Sequence, residues 1–531
     1  MKHRLIFFCV SIFAFCFFTN VIYCQVSGVP DLEFGSLGEV QITDPINEYD
    51  GGSSVLLPDG KLLLAGTTFD PVFVKPTLVL TRLLQNGQVD DSYGVHGQVQ
   101  PDLKFDLGNG GKISKFALTD DGKVIIAGCF FSEEIRAAFA ARLDENGKLD
   151  ESFGQGGLAI FDVGTYIDKF ESLLIKPDGK ILLGGFSFGN SSALIELLLV
   201  QLNPDGSPDQ EFGKSGILVY DPSLNFKSIL SLALQEDGKV VTFCRTGLFN
   251  DDIEIFRLYP NGTIDSSFAT NGNFIFGLPD RNDIPYTGVV QKDQKILFCG
   301  TSSQKDTTIG EAILIRLNPN GSFDETFGLN GKVFFNLGLL ESASTLVLQP
   351  DNKIIVSVIG SIMGTYSHKF RFWTLRCHPD GSLDDNFAFD GIIQTPDYGN
   401  PIELVHLLLN DDNKIILTGT IERKLILWRY LNDNFTDIHE KYDVIDLQLK
   451  YHPNPVSNHM ILEWNQQVPN IVQCDLYNYQ GSFIETFIEP TLIQSGSHKE
   501  LFTFEKDIPQ GFYFLVFKSG DETRLIRLIK I

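Results

Sequence analysis

An arginine and an aspartate that lie eight residues apart recur along most of the chain. Such a pair can form a charge-assisted hydrogen bond, and a repeated carboxylate can also contact a cation or a glycan. A structural role is favoured, because a ligand site on a repetitive fold normally breaks the symmetry of the repeat. The arginines are Arg82, Arg142, Arg257, Arg316, Arg376 and Arg429, with Gln201 in the third repeat. The aspartates of the motif are Asp31, Asp90, Asp150, Asp209, Asp265, Asp324 and Asp384.

Motifs of known enzyme classes are absent from the sequence. It contains no H-E-x-x-H, no G-x-S-x-G, no phosphate-binding glycine loop and no C-x-x-C. The histidines, His406 among them, fall at unrelated positions, and adjacent carboxylates such as Glu133 and Glu134 would face opposite ways on a strand. We therefore predict no catalytic, cofactor or metal residue. Acid–base catalysis would need carboxyl groups from different repeats to converge on one bond.

Ligand contacts are expected in the loops that differ between repeats, since connecting segments vary without unfolding the sheets. Several of these loops combine acidic and aromatic residues, as carbohydrate sites and ordinary solvated loops both do. The candidate ligand residues are Asp280, Asp283, Tyr286, Tyr366 and His368. The candidate loops are 69–78, 101–112, 133–136, 187–193, 249–252, 278–286 and 362–369.

A turn that ends in lysine marks the elements that must position these residues. Asp-Gly or Asp-Asn precedes the lysine in most copies and supplies the positive φ that a tight hairpin requires. Gln294 is a poor fit to that conformation, so its turn is predicted to be looser or strained. The lysines recur about every 60 residues, at Lys61, Lys123, Lys180, Lys239, Lys295, Lys353 and Lys414.

Each repeat is predicted to contain four antiparallel strands. Short apolar runs flank the lysine turn, an Asn-Gly or Asp-Gly turn such as Asn320-Gly321 follows, and a D-x-x-aromatic-G/A-x-x-G motif closes the repeat. Four-stranded units repeated in a circle are typical of a β-propeller. The last repeat lacks the closing motif, whereas residues 31–38 carry one alone, followed by a strand-like 39–43. We therefore predict seven blades, with the N-terminal strand completing the last blade and leaving no open edge there.

The net charge, the cysteines and the N-terminal segment indicate which partners are unsuitable and where the protein is located. A formal charge of -25 argues against nucleic acid or anionic lipid as partner. The cysteines outside the N-terminal segment are scattered over separate repeats, and Cys129, Cys244 and Cys299 are predicted to be buried, non-ligating side chains. Residues 1–24 have the basic start and apolar run of a secretory signal peptide, cleaved between Cys24 and Gln25. Acylation of Cys24 as a lipoprotein is the alternative, although the bulky Tyr23 disfavours it.

The repeat resembles the delta-60 repeat family. The resemblance is carried by PDGKILLGG at 177–185, RLNPNG at 316–321 and the D-x-x-F-G-x-x-G motif, over about residues 30–437. It implies a propeller-like fold and a secreted bacterial protein, and it transfers no catalytic residue.

The C-terminal region resembles the sorting domain of type IX secretion. The residues that carry this resemblance are Pro453, Asn454, Pro455, Gly481, Gly511 and Tyr513, with His452 inserted before the Pro-Asn-Pro turn. The resemblance implies a small Ig-like β-sandwich that is recognised at the outer membrane of a Gram-negative bacterium. It also implies a sortase-like peptidase as partner and either anchoring to the membrane surface or release. An adhesive Ig-like module is the alternative.

The sequence thus predicts an all-β protein in four parts. These are a signal peptide (1–24), a seven-bladed propeller (25–437), a linker (438–446) and a sorting β-sandwich (447–531). The predicted function is a secreted or cell-surface binding protein whose ligand is a glycan or another protein. The alternatives are a polysaccharide-active enzyme with its site over the propeller axis and a structural surface-layer component.

Overall fold

The computed structural model describes most of the chain after residue 26 and separates it into two compact units. The repeat unit spans Val26–Val444, and the C-terminal unit comprises Ile445–Tyr477 and Phe483–Ile531. Among the described residues, no helix has the length and apolar character needed to cross a membrane. The described residues are 27–31, 33–36, 38–43, 48–69, 76–108, 111–132, 135–164, 166–188, 195–220, 227–247, 251–305, 307, 309–363, 368–388, 390–395, 402–432, 449–452, 459–478, 483–504, 508, 511–520 and 522–530.

The repeat unit consists of strands that follow the sequence repeats. They are β1 (Glu39–Ile42), β2 (Glu48–Leu56), β3 (Leu62–Phe69), β4 (Pro76–Leu83), β5 (Gln98–Val99), β6 (Lys112–Leu118), β7 (Val124–Phe131), β8 (Arg136–Leu143), β9 (Leu158–Phe161), β10 (Asp168–Ile175), β11 (Ile181–Phe188), β12 (Ile195–Leu202), β13 (Ile217–Tyr220), β14 (Lys227–Leu234), β15 (Val240–Thr246), β16 (Asp252–Leu258), β17 (Asn273–Phe276), β18 (Arg281–Val290), β19 (Ile296–Gln304), β20 (Gly310–Leu317), β21 (Lys332–Phe335), β22 (Leu340–Leu348), β23 (Ile354–Met363), β24 (His368–Cys377), β25 (Ile392–Gln394), β26 (Ile402–Leu409), β27 (Ile415–Ile421) and β28 (Lys424–Tyr430).

The strands form antiparallel sheets of four, and in every sheet but the last the strands lie in chain order from the innermost to the outermost. Four of these sheets are β2–β5, β6–β9, β10–β13 and β14–β17, and the next two, β18–β21 and β22–β25, are joined by a single parallel pairing of Gly310 with Leu340. The innermost strands contact one another in the order β2, β6, β10, β14, β18, β22, β26 and back to β2. Hydrophobic clusters fill the spaces between neighbouring sheets. The fold is therefore an all-β, propeller-like ring.

The N-terminal strand completes the last sheet, as predicted. β1 pairs antiparallel with β28, with Glu39 opposite Trp428 and Ile42 opposite Leu425. The sheet then runs β1-β28-β27-β26. This pairing satisfies backbone groups that an unpaired edge of β28 would present to solvent.

The lysine turns share one hydrogen-bond pattern, including the turn at Gln294. Gln294 adopts φ 64° and donates its N–H to the Gln291 carbonyl at 2.8 Å, as Asn352 with φ 67° does to Gln349 at 2.9 Å. The predicted loosening is wrong, because the backbone hydrogen bonds hold the turn closed. The strain remains, since glutamine rarely adopts positive φ.

Each innermost strand carries a β-bulge at an equivalent place, which the sequence pattern did not predict. A bulge opposes two residues to one and re-aims a side chain. In β6 the inserted residue is Ser114, in β10 it is Glu171 and in β18 it is Tyr286. The register shifts lie at Asp50/Gly52, Ile113/Lys115, Phe170/Ser172, Ile229/Ser231, Pro285/Thr287, Ala343/Thr345 and Glu403/His406.

The cysteines of the described chain are buried and form no disulfide bond. This confirms the predicted burial of Cys129, Cys244 and Cys299. Burial raises the pKa of the Cys299 thiol to about 12, so this side chain behaves as a small hydrophobic group and not as a nucleophile.

The C-terminal unit consists of two sheets that share one hydrophobic core. Trp464 and Leu462 from one sheet and Leu476 and Leu515 from the other belong to that core, as does the predicted motif residue Tyr513. The sheets are β29-β30-β33 and β32-β31-β34-β35. The strands are β29 (Lys450–His452), β30 (His459–Gln466), β31 (Asn470–Asn478), β32 (Phe483–Ile493), β33 (Gly496–Thr503), β34 (Gly511–Ser519) and β35 (Glu522–Lys530).

Candidate functional site

The recurring arginine and aspartate form a buried or partly buried ion pair in each repeat that has both. Arg316 Nε donates to Asp324 Oδ2 at 2.7 Å, and the turn lysine Lys295 contacts the same oxygen at 3.0 Å. The equivalent arginine pairs are Arg82–Asp90, Arg142–Asp150, Arg257–Asp265, Arg376–Asp384 and Arg429–Asp31. The equivalent lysine pairs are Lys61–Asp90, Lys123–Asp150, Lys180–Asp209, Lys239–Asp265, Lys353–Asp384 and Lys414–Asp31.

The same arginine also binds the neighbouring sheet. Arg316 Nη1 donates to the Pro379 carbonyl at 2.5 Å, and its guanidinium lies 4.4 Å from the centre of the Phe327 ring. Arg142 reaches the Pro204 carbonyl in the same way. Because cations, Thr326 and the backbone occupy the Asp324 carboxylate, the geometry accounts for this motif as a tie within and between sheets.

The third repeat has no arginine at this position, and a hydrogen-bonded chain of Lys176 and Gln201 reaches the aspartate instead. Lys176 Nζ donates to Gln201 Oε1 at 2.5 Å, and Gln201 Nε2 donates to Asp209 Oδ2 at 2.6 Å. Lys180 contacts the same carboxylate at 2.9 Å. The buried cation has thus moved from strand β12 to the lysine turn. The sequence signal was available, since Gln201 and Lys176 depart from the repeat together.

The strand ends that border the predicted loops all lie at one end of the sheets, the end opposite the lysine turns. Within those loops, residues 70–75, 109–110, 133–134, 189–193, 249–250 and 364–367 lie outside the described chain. In a four-stranded antiparallel sheet, the second-to-third connection and the connection to the next sheet share one end. We call this end the loop face, defined by its described connecting residues 100–108, 111, 132, 135, 162–164, 166–167, 247, 251, 277–280, 305, 307, 309, 336–339 and 395. A ligand that contacts several of these loops would therefore lie on one surface.

The predicted ligand residues differ in their accessibility on this face. Asp280 is exposed with φ 57°, whereas Asp283 is 0% exposed and Tyr286 is half-buried at the bulge of β18. The backbone of His368 pairs with Met363 at the start of β24. Predicted residues outside the described chain are Cys24, Gln25, Tyr366, Pro453, Asn454, Pro455 and Gly481.

Asp283 holds a loop and does not present its carboxylate to the surface. Its Oδ2 accepts the Leu278 N–H at 2.6 Å, and burial raises its pKa. Asp168 occupies the equivalent place in the third repeat and accepts the Val163 N–H at 2.6 Å. Glu341 accepts backbone N–H groups in the sixth repeat. These carboxylates fix the connections that enter the innermost strands.

The bulges bring a second set of polar side chains to the innermost strands. We call Lys115, Glu171, Tyr286 and His406 the ring-centre group. Glu171 accepts from Lys169 Nζ at 2.7 Å and from the Ser228 hydroxyl. Burial, with a smaller contribution from the Lys115 ammonium, lowers the pKa of His406 to about 4. The imidazole is therefore neutral at neutral pH.

An aromatic patch lies on the loop face of the second and third repeats. It consists of Phe131, Arg136, Tyr166, Phe186 and Phe188. The Tyr166 and Phe188 ring centres are 5.8 Å apart, those of Phe186 and Phe188 are 5.7 Å apart, and the Arg136 guanidinium lies 4.8 Å from the Tyr166 ring centre. Tyr166 is 55% exposed. Exposed aromatic rings beside a cation suit the apolar faces and hydroxyl groups of sugars.

The sequence indicated this patch only in part. The predicted loops 133–136 and 187–193 border it, but Tyr166 and Phe131 were not singled out. Their common signal is the position of aromatic residues at strand ends, and their proximity arises from the packing of two neighbouring repeats.

An apolar cavity lies elsewhere, between the third and fourth sheets. It has a volume of about 430 Å³ and is lined chiefly by Leu197, Leu199, Tyr220 and Phe256. No charged groups converge in it, and its lining continues the hydrophobic packing between sheets. Within the described chain, no group of three His, Cys, Asp or Glu side chains is arranged to hold a metal ion.

Comparison with known proteins agrees with the propeller-like fold. Residues 57–93, 119–153, 176–212 and 291–327 match the family described as a domain of unknown function (DUF5122) beta-propeller. These stretches cover roughly a quarter of the chain and coincide with four of the repeats. No curated protein matches the chain.

Solved structures with detectable similarity are distant. PorZ, a surface component of the type IX secretion system of Porphyromonas gingivalis, is 11% identical with a TM-score of 0.28, over 89% of this chain and 69% of PorZ. The Dos1 propeller is 11% identical with a TM-score of 0.35, over 72% and 82%. The α-L-arabinofuranosidase Arb93A of Fusarium graminearum is 10% identical with a TM-score of 0.38, over 66% and 98%. At these scores no activity or partner is transferred to this chain.

Proposed function

We propose that the protein is a secreted or cell-surface, glycan-binding β-propeller that holds its ligand on the loop face. The observation that carries this proposal is the aromatic patch, in which Tyr166 is exposed beside Arg136 and Phe188. The patch is confined to two repeats, whereas the Arg–Asp ion pairs recur around the ring. Protein groups already occupy the carboxylates of these pairs. A site that departs from the repeat is what a specific ligand requires.

Binding is favoured over polysaccharide cleavage because two carboxylates of the third and fourth repeats are held in ion pairs. Glu171, from the third repeat, is paired with Lys169, and Asp251, from the fourth repeat, accepts from Arg245 Nη2 at 2.8 Å. Glycoside hydrolysis needs one carboxyl that donates a proton and a second that is free to act as base or nucleophile. Both of these carboxylates already neutralise a cation, which suits a rigid binding surface.

The ring is proposed to contain seven blades. The cyclic order of contacts among the innermost strands and the pairing of β1 with β28 support this number. The seven lysine turns supply one innermost hairpin each.

The C-terminal unit is proposed to be an Ig-like sorting domain for type IX secretion. Its support is the sequence resemblance at Gly511 and Tyr513, the burial of Tyr513 and a hydrophobic core of its own. Together with the N-terminal signal peptide, this predicts export to the surface of a Gram-negative bacterium, with the secretion machinery and a sortase-like peptidase as partners. The intact mass of protein recovered from the surface of the producing cell should correspond to a chain that begins at Gln25 and lacks the sorting domain. Recovery of the uncleaved chain inside the cell would contradict this route.

A glycan array probed with the purified protein tests the binding function. We expect binding to a restricted set of glycans, because the patch is small and asymmetric. Absence of binding to every bacterial, plant and animal glycan on the array would contradict a glycan as the ligand.

A further inference from the structure

Lys115 differs from the turn lysines in having no carboxylate partner. Each turn lysine contacts an aspartate of the closing motif, as Lys123 contacts Asp150 at 2.8 Å. Lys115 lies on the innermost strand β6, and no carboxylate in the described chain comes within 4.0 Å of its ammonium group. Burial lowers its pKa, and the charge of Glu171 on the next innermost strand only partly offsets that effect. An ammonium group in such a place favours an external anion.

The residue before Lys115 also lacks a partner. Ser114 is the inserted residue of the β6 bulge, and its Oγ is buried without a hydrogen bond to any described protein atom. Buried hydroxyl groups normally find a hydrogen-bond partner. Because the bulge interrupts the alternation of side chains along the strand, Ser114 and Lys115 need not face opposite sides of the sheet.

His406 adds a neutral hydrogen-bonding group from a nearby innermost strand, β26. Its Nδ1 lies 3.3 Å from Ser54 Oγ, which also contacts Thr418 Oγ1 at 2.8 Å. When Ser54 donates to Nδ1, the imidazole carries its hydrogen on Nε2, and Nε2 makes no hydrogen bond to the described protein. The Lys115 ammonium adds to the effect of burial in lowering the pKa of His406.

Lys115 and His406 are the two departures from an otherwise uniform position. At the position eight residues before each turn lysine, where Lys115 pairs with Ala127 and His406 pairs with Thr418, the other repeats carry a serine or threonine. In the ring, β26 and β6 both flank β2, so the two exceptions lie on either side of one strand. The hydroxyl residues at this position are Ser53, Ser172, Ser231, Thr287 and Thr345.

We propose that the centre of the ring holds a carboxylate-binding site formed by Lys115, Ser114 and His406. The ammonium supplies the charge, and the hydroxyl and the Nε2–H supply directed donors, a set that matches the acceptor oxygens of a carboxylate. Glu171 does not compete for Lys115, because Lys169 and Ser228 already bind it. Lys112, exposed at the start of the same strand as Lys115 and outside the proposed site, provides a matched control. This site is separate from the aromatic patch and does not depend on glycan binding there.

The carboxylate that binds this site belongs either to a free small acid or to an acidic sugar. Calorimetric titrations distinguish the two. The protein is titrated with acetate, glucuronate and glucose, and the variants are Lys115→Met, Lys115→Arg and the control Lys112→Met. We expect glucuronate to bind, with at least a tenfold loss of affinity in Lys115→Met and less than a threefold change in Lys112→Met. Lys115→Arg should retain much of the affinity because it keeps the charge. Acetate binding as well would indicate that the free carboxylate suffices.

Three results would overturn the site. They are no binding of either acid, equal binding of glucose, or unchanged affinity in Lys115→Met. If Lys115→Met fails to fold, NMR titration of the Lys115 side chain in the native protein replaces it. Glucuronate or acetate should then raise the pKa of Lys115, and a pKa that neither acid moves would contradict the proposal.

Discussion

Asp31 and Arg429 join the two ends of the repeat unit: Arg429 Nε donates to Asp31 Oδ2 at 2.7 Å, across 398 positions of the chain. Lys414 binds the same carboxylate at 2.8 Å. Although burial opposes ionisation, these two cations hold the pKa of Asp31 below its usual range. The backbone supports the same closure, since Asp31 N–H donates to the Arg429 carbonyl at 2.8 Å. The closing pair is thus the same ion pair that the other repeats make internally.

Asp31→Ala is predicted to destabilise the repeat unit more than a change at an exposed position of the same strand. It leaves the buried Arg429 guanidinium without its partner, which costs about 3–5 kcal/mol. Thermal unfolding should show a lower Tm, whereas Gln41→Ala, on the exposed side of β1, should change it little. Equal Tm values for the two variants would mean that the ion pair does not hold β1 in place.

The third repeat offers a charge exchange between Lys176 and Gln201. Lys176→Gln removes the buried cation, and Gln201→Arg places two cations side by side, so each single change should destabilise by about 1–3 kcal/mol. The double variant recreates the arrangement of Gln235 and Arg257 in the fourth repeat and should recover most of the loss. Denaturant unfolding of the four proteins gives the coupling energy. Strictly additive losses would show that the two positions do not exchange roles.

Asp324 and Asp283 predict opposite dependences of stability on pH. Burial opposes ionisation of Asp324, but hydrogen bonds from Thr326 and Lys295 hold its pKa low. The stability that the ionised Asp324 carboxylate contributes is therefore present above about pH 4 and is lost as pH falls. Burial raises the pKa of Asp283. The stability that the protonated Asp283 carboxyl contributes is therefore present at low pH and is lost as pH rises through the raised pKa.

The corresponding asparagine variants test these signs. Relative to the native protein, Asp324→Asn should become less stable as pH rises from 3 to 7, and Asp283→Asn should become more stable over the same range. Unfolding free energies at pH values between these limits provide the comparison. Parallel curves for the two variants would contradict the assigned directions of the pKa shifts.

Gln294 is a position at which the native protein is strained. Its φ of 64° suits asparagine better than glutamine, so Gln294→Asn should stabilise by about 0.5–1 kcal/mol. The variant loses only an exposed contact from the Glu236 N–H at 3.2 Å. Asn352, which already has the favourable residue, provides a matched control, since Asn352→Gln should destabilise by a similar amount. Unchanged unfolding free energies in both variants would indicate that glutamine adopts this turn conformation without strain.

Much of the fold was predictable because its signals are local. Asp-Gly-Lys turns and the closing motif around Asp324 fix where strands begin and end, and the lone motif at Asp31 predicts the closure. The bulges were not predictable, since a register shift depends on which residues of the partner strand are opposite. The ring-centre position of Lys115 therefore could not be read from its neighbours in sequence. The contact between Arg136 and Tyr166 depends on the packing of two repeats and was likewise outside sequence reasoning.

The central claim is that recurring residues hold the ring together while function lies where the repeat is broken. Its most direct test is one glycan-array experiment on four proteins. They are the native form, Asp324→Ala, Tyr166→Ala and, as an exposed aromatic control on the outer strand β21, Phe334→Ala. Below its reduced Tm, Asp324→Ala should bind like the native protein, as should Phe334→Ala, and Tyr166→Ala should lose at least tenfold in signal. Native binding by Tyr166→Ala, or its loss in folded Asp324→Ala, would contradict the claim.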